Sequence, residues 1–139
     1  MIQFFTRWLT LLIFISGPAL EGKVRFGDFT IAAEKTVDLY RAVGVREFNE
    51  VMTSKAFRAG GNSMSSRQFA LKLEEAIKYT DADPSKVAIL KATVPESVLQ
   101  SFHFSKTIDP FIFKSGVITV YPENLTLLNQ SLRALEHTF

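Results

Sequence analysis

An arginine at 41, serines at 63, 65 and 66 and a glutamate at 123 are the side chains here whose types suit chemistry on a charged, polar substrate. Arginine offers a rigid fork of five N–H donors that matches phosphate or carboxylate oxygens. A serine hydroxyl both donates and accepts, and a carboxylate stabilises positive charge. Each also has a plain structural reading. Arg41 can sit on a strand and pair with Asp38 or Glu47, the serines can serve as loop and capping residues, and Glu123 can complement a helix N-terminus.

Other chemistries fare worse. The chain has no cysteine, which removes disulfides, thiol nucleophiles and cysteine-held metal. His103 and His137 are the two histidines, far apart and without companions at metal-ligand spacing, so no metal is expected. Acid–base nuclease chemistry by His103 has no supporting motif. Glu74 and Glu75 are adjacent on a helical stretch and read as a solvated face rather than a carboxylate pair. Two Asn-X-Ser/Thr patterns, at Asn124 and Asn129, matter only in a eukaryotic secretory pathway.

At 139 residues there is room for one domain, and a hydrophobic fraction of 47% excludes wholesale disorder. The 13 phenylalanines are spread along the chain, as expected of a small core filled with bulky rings. A net charge of +2 gives no clustered basic face and so no nucleic-acid patch. The most basic stretch, from Arg41 to Arg67, reads as solvated surface, or as a site for a small anionic ligand such as a dinucleotide pyrophosphate.

Residues 1–19 have the layout of a secretory signal. Arg7 provides a positive start, Trp8 to Ile15 is apolar, and Gly17-Pro18-Ala19 places small residues at a cleavage site. The expectation is a secreted or exported chain maturing near Leu20, the alternative being a cytoplasmic protein whose first residues are a gene-fragment scar. No span is expected after residue 20. Residues 20–139 then form a single domain.

The elements that must position the candidate residues follow from periodicity. Lys23 to Ala33 is a hairpin or one extended piece, and Val37 to Val43 a strand. Val45 to Ser54 has helical spacing, and the segment around Gly60-Gly61 is a loop, a flexible rim over a ligand cleft. Ser65 to Ala70 is extended and runs into a helix ending before Pro84, because proline cannot continue one. Lys86 to Val94 is the plainest strand, and Pro95 opens a helical turn. Ser101 to Pro110 is irregular, Phe111 to Phe113 and Val117 to Tyr121 are short strands, and Leu125, Leu128, Leu132 and Leu135 line a last helix. The order predicts an α+β domain with a small, mainly antiparallel sheet and flanking helices.

Several of these segments carry a resemblance. Leu39-Tyr40-Arg41-Ala42-Val43, Phe57-Arg58, Gly61-Asn62-Ser63-Met64, Arg67-Gln68-Phe69-Ala70 with Glu74-Glu75-Ala76, Ala88 to Pro95, and Ile118 to Leu125 follow one another in order. Over roughly residues 37–130 the chain resembles the ADP-ribosyltransferase-like toxin domains of bacterial polymorphic and RHS-repeat proteins. The resemblance implies NAD as substrate, an unknown macromolecular acceptor, a neutralising immunity protein as partner, and transferase or NAD glycohydrolase activity. By the same resemblance Arg41 holds the dinucleotide, Ser65 or Ser66 braces the second strand, and Glu123 is the catalytic acid. Tyr40, Phe69 or Tyr79 would stack on the nicotinamide. Tyr121 stands where arginine-modifying members have a second acidic or amide residue, so nothing indicates an arginine acceptor. The reading from a different class is a secreted, non-catalytic binding module.

Overall fold

The computed structural model describes residues 23–26, 29–32, 34–58 and 66–138, with side chains from 34 onward within those ranges. The signal-like segment, Ser65 and the Gly60-Gly61 rim lie outside the described residues. The chain divides into two compact units, Met1–Thr36 and Val37–Phe139. In the first, β1 (Lys23–Phe26) and β2 (Phe29–Ala32) pair antiparallel, with Lys23 opposite Ala32. This is the hairpin rather than the single extended piece.

The second unit is α+β. Its strands are β3 (Thr36–Val43), β4 (Arg67–Ala70), β5 (Ala88–Pro95), β6 (His103–Ser105), β7 (Val117–Val120) and β8 (Ala134–His137). They form one sheet in the order β6-β7-β4-β3-β5-β8. Tyr40 lies opposite Ala70, Arg67 opposite Val120 and Thr93 opposite Ala134 in antiparallel registers. Between β3 and β5, the Val87 N–H donates to the Val43 carbonyl and the Thr93 hydroxyl to Asp38, so this pair is antiparallel too.

Helices α1 (Val45–Ser54), α2 (Leu73–Ala82) and α3 (Leu125–Ser131) flank the sheet. Alternation along each strand sends successive side chains to opposite faces. Leu39 and Val43 of β3, Leu90 and Ala92 of β5, and Ile118 and Val120 of β7 share the main core with Val51 of α1 and Leu128 of α3. Ala70 and Ile89 face the other way and pack with Ala76 of α2, together with partly buried Tyr40, Leu73, Ile77 and Phe113. Asn129 clamps the chain after α1. Its amide oxygen accepts from the Phe57 N–H and its amide nitrogen donates to the Phe57 carbonyl, both at 2.8 Å.

Four local expectations need correction. The leucine repeat after Pro122 is helical only to Ser131. The chain then extends and Leu135 reaches the core from β8, since a sheet edge beside β5 offers backbone partners that a longer helix would leave unfilled. Phe111 to Phe113 is a turn rather than a strand, with the Ile112 and Phe113 N–H groups both donating to the Asp109 carbonyl. The irregular stretch after Ser101 contains β6, paired to β7. Glu75 is buried rather than solvated, because its carboxylate accepts from the Ser115 N–H and, at 2.7 Å, from the Ser115 hydroxyl.

Candidate functional site

Beside α2, the floor of β3 and β4 opens into a cavity of about 70 Å³. Its walls come from six places. Tyr40, Arg41 and Ala42 belong to β3, and Gln68, Phe69 and Ala70 to β4. Ala76 and Tyr79 come from α2, Lys86 from the turn before β5, Val117 from β7, and Asp109 and Phe113 from the loop between β6 and β7. Binding pockets for whole cofactors run to roughly 300–1,000 Å³, so this one seats a ring or one end of a longer ligand.

The aromatic wall is partly fixed. Tyr79 and Phe113 stack at a tilt with ring centroids 5.5 Å apart. Burial, then the charges of Asp83 and Asp109, hold the Tyr79 hydroxyl above its ordinary value of 10.0, against a smaller opposite pull from Arg41. Burial, followed by Asp38, likewise raises Tyr40. Both phenols are therefore neutral near pH 7; Asp83 engages the Tyr79 hydroxyl, while the Tyr40 hydroxyl can donate to a ligand. Phe69 contributes to the wall, but its ring packs on Phe57 in the main core at 5.2 Å and is not placed to stack on a ligand.

Arg41 closes the base of the cavity. Its Nε and Nη2 donate to the two Glu47 oxygens at 2.6 and 2.9 Å, and Nη1 donates to the Gln68 carbonyl at 3.1 Å. The strand arginine therefore pairs with Glu47, while Asp38 is engaged by Thr93. Three of the five guanidinium donors are used, which leaves two for a ligand. Arg67 Nε lies 3.7 Å from Glu47, so one carboxylate serves two arginines. Burial alone would raise the Glu47 carboxyl. The hydrogen bond and charge of Arg41, helped by Arg67 and Lys86, outweigh it and leave Glu47 below its ordinary value. This part of the cavity carries a surplus of positive charge.

The loop from Lys106 to Gly116 supplies the remaining wall and is anchored at its end. Ser115 is held by Glu75, and Gly116 has φ +100°. A Cβ at Gly116 would meet the exposed Phe104 ring, which would have to move, and the positive φ itself favours glycine. At the turn of this loop Asp109 has φ +39°, an uncommon conformation for a residue with a side chain. Pro110 follows it, restricting Asp109 further.

Of the residues singled out in the sequence, the structure brings Tyr40, Arg41, Phe69 and Tyr79 to this one cavity. Ser66 precedes β4, half-buried, and is not among the lining residues. Glu123 is exposed on a 3-10 turn, Pro122–Asn124, at the opposite end of β7 from Val117. Sequence reasoning missed Lys86, Asp109 and Phe113. An Asp-Pro pair inside an irregular stretch was the available signal for Asp109, whereas nothing local marks Lys86. Among the described residues no group of three or more His, Asp or Glu is placed to hold a metal, and no helix is long and apolar enough to cross a membrane. No family model, curated protein or solved structure matches the chain.

Proposed function

We propose that the unit Val37–Phe139 binds the nicotinamide end of NAD in the cavity beside α2 and acts as an ADP-ribosyltransferase or NAD glycohydrolase of toxin or effector type. One observation carries this reading. Tyr40, Arg41 and Tyr79, each assigned to NAD by resemblance, line a single cavity although they come from two elements about forty residues apart. The cavity's size suits a ring, its phenols can stack on or hydrogen-bond to a carboxamide ring, and Arg41 with Lys86 gives the pyrophosphate a positive neighbour. In the glycohydrolase case water adds to the ribose carbon. The carbon–nitrogen bond breaks with its electron pair going to the ring nitrogen, and nicotinamide, ADP-ribose and one proton result.

The position of Glu123 favours a second reading, a module that binds the ligand without cleaving it, because this carboxylate is not among the cavity residues. Calorimetric titration with NAD and chromatographic detection of nicotinamide separate the two. Binding with release supports the transferase or glycohydrolase, and binding without release, with candidate acceptors present, supports the module. Tyr79→Ala should weaken NAD binding about tenfold at most, the scale of one aromatic contact. Absence of NAD binding by the unaltered protein removes both forms of the proposal.

A further inference from the structure

We infer that Asp109 is the carboxylate that serves the chemistry of this cavity, facing the ribose and stabilising the positive charge that forms there as the bond to nicotinamide breaks. The inference rests on the NAD reading above and deepens it by assigning the acid.

The carboxylates near the cavity differ in what they are free to do. Glu47 spends both oxygens on Arg41 and stands close to Arg67. Glu75 spends its oxygens on Ser115. Glu123 lies at the far end of β7. Asp109 is the one carboxylate among the lining residues, and no hydrogen bond to a described residue occupies its side chain. Its charge already reaches the cavity, since it helps to raise the Tyr79 hydroxyl.

The backbone gives an independent reason. A φ of +39° directly before proline is a conformation that glycine would hold more easily, yet an acidic side chain occupies it. Sparsely populated backbone conformations of this kind gather at functional sites, where they aim a side chain that relaxed geometry would not. The loop that carries Asp109 is pinned by Ser115 to Glu75 and by Phe113 to Tyr79, and Asp109 lines the cavity from its exposed turn. The cavity then has a negative side at Asp109 and a positive side at Arg41 and Lys86, which suits a ligand that is cationic at its ring and anionic at its phosphates.

In the cleavage step the nitrogen takes the electron pair and leaves neutral, and the charge passes to the ribose carbon and its ring oxygen. A carboxylate beside the ribose gains attraction as that charge arrives.

The test compares wild type with Asp109→Asn and Glu123→Gln. Asn tolerates a positive φ, so Asp109→Asn removes charge with little change in backbone preference. Two measurements are made: nicotinamide release from NAD, and binding of the 1-methylnicotinamide cation against neutral nicotinamide, which needs no turnover. The expected result is that Asp109→Asn slows release about tenfold or more, and by more than Glu123→Gln does. Wild type should prefer the cation several-fold, less so in high salt, and Asp109→Asn should lose that preference. Equal release by wild type and Asp109→Asn overturns the assignment and leaves the NAD reading standing. A preference that is absent in wild type, or that persists in Asp109→Asn, overturns it as well, whether or not NAD binds. An Asp109-dependent preference for the cation without any NAD binding keeps Asp109 as the cavity's functional carboxylate and removes NAD as its substrate.

Discussion

The two faces of the sheet are built for different purposes. Toward α1 and α3, the described residues form a cluster of fifteen buried side chains running from Leu39 to Leu132, whereas toward α2 only Ala70, Ala76 and Ile89 are buried together. The first face holds most of the apolar area and hence most of the stabilisation, at roughly 25 cal/mol per Å² removed from water. The second is finished with tyrosines, a lysine and an aspartate around a void. Packing that face as densely as the first would fill the cavity. Arg41 and Glu47 lie at the seam, since Arg41 leaves β3 on the side of α1 yet borders the cavity.

The comparison can be tested by substitution, and the largest effect is expected on the packed face. Leu128, fully buried, should cost about 2–5 kcal/mol when changed to Ala, read as a lower urea midpoint with an unchanged slope. NAD affinity of the folded protein should stay within twofold. A parallel loss of affinity would mean that the faces are not separable.

At the seam both properties should move together. Arg41→Ala removes the bidentate partner of Glu47 and, on the proposed NAD reading, a charge-assisted donor from the ligand. NAD binding should weaken roughly tenfold or more, from about 1.5–3 kcal/mol of lost interaction, and thermal stability should fall with it. Arg41→Lys should recover part of the affinity but not the paired geometry.

A smaller effect concerns pH. Glu47 has a folded pKa below its ordinary value of 4.5, so the proton binds the unfolded chain more readily. Its contribution to stability is complete above about pH 4.5 and is lost as pH falls through the depressed folded value. Urea midpoints measured from pH 7 to pH 3 should therefore decline more steeply at the acid end in wild type than in Glu47→Gln. At pH 7 that variant should be less stable by about 1–2 kcal/mol. Identical slopes would show that the pair contributes nothing to folding.

The smallest change is expected at Phe111, which is 87% exposed on the loop beside the cavity. Phe111→Ala should alter stability by no more than about 0.5 kcal/mol. A large loss would show that this ring packs against something in solution.

Much of the packed face was legible from periodicity. The boundaries of α1 were readable because Val45, Phe48, Val51 and Met52 recur on one side of a helix, and β5 was readable because Ala88 to Val94 is a run with no competing pattern. The spacing of Leu125 to Leu135 was misleading because two elements share one core. Steps of three and four suit a helix, yet residues beyond Ser131 meet the same core from a strand. The site was legible only where a residue type suggests its own use, as with Tyr40, Arg41 and Tyr79. Asp109 and Lys86 reach the cavity through turns whose position depends on tertiary contacts, such as the pairing of Glu75 with Ser115, forty residues apart. No local pattern encodes such a pairing.

The strand order has a kinetic consequence. β4 must find β7 about fifty residues further along the chain, and β5 must find β8 across a similar stretch. Closing such loops has an entropic cost that must be met before their contacts stabilise anything, which places the expected refolding time of this unit nearer milliseconds to seconds than microseconds. During that interval β3 and β4, whose paired residues lie about thirty positions apart, can already be together while β4 still lacks its partner β7, leaving one strand edge unpaired. The unit is thus most prone to self-association while it is being made or refolded, and dilution or lower temperature should raise the yield of refolding more than any added ligand.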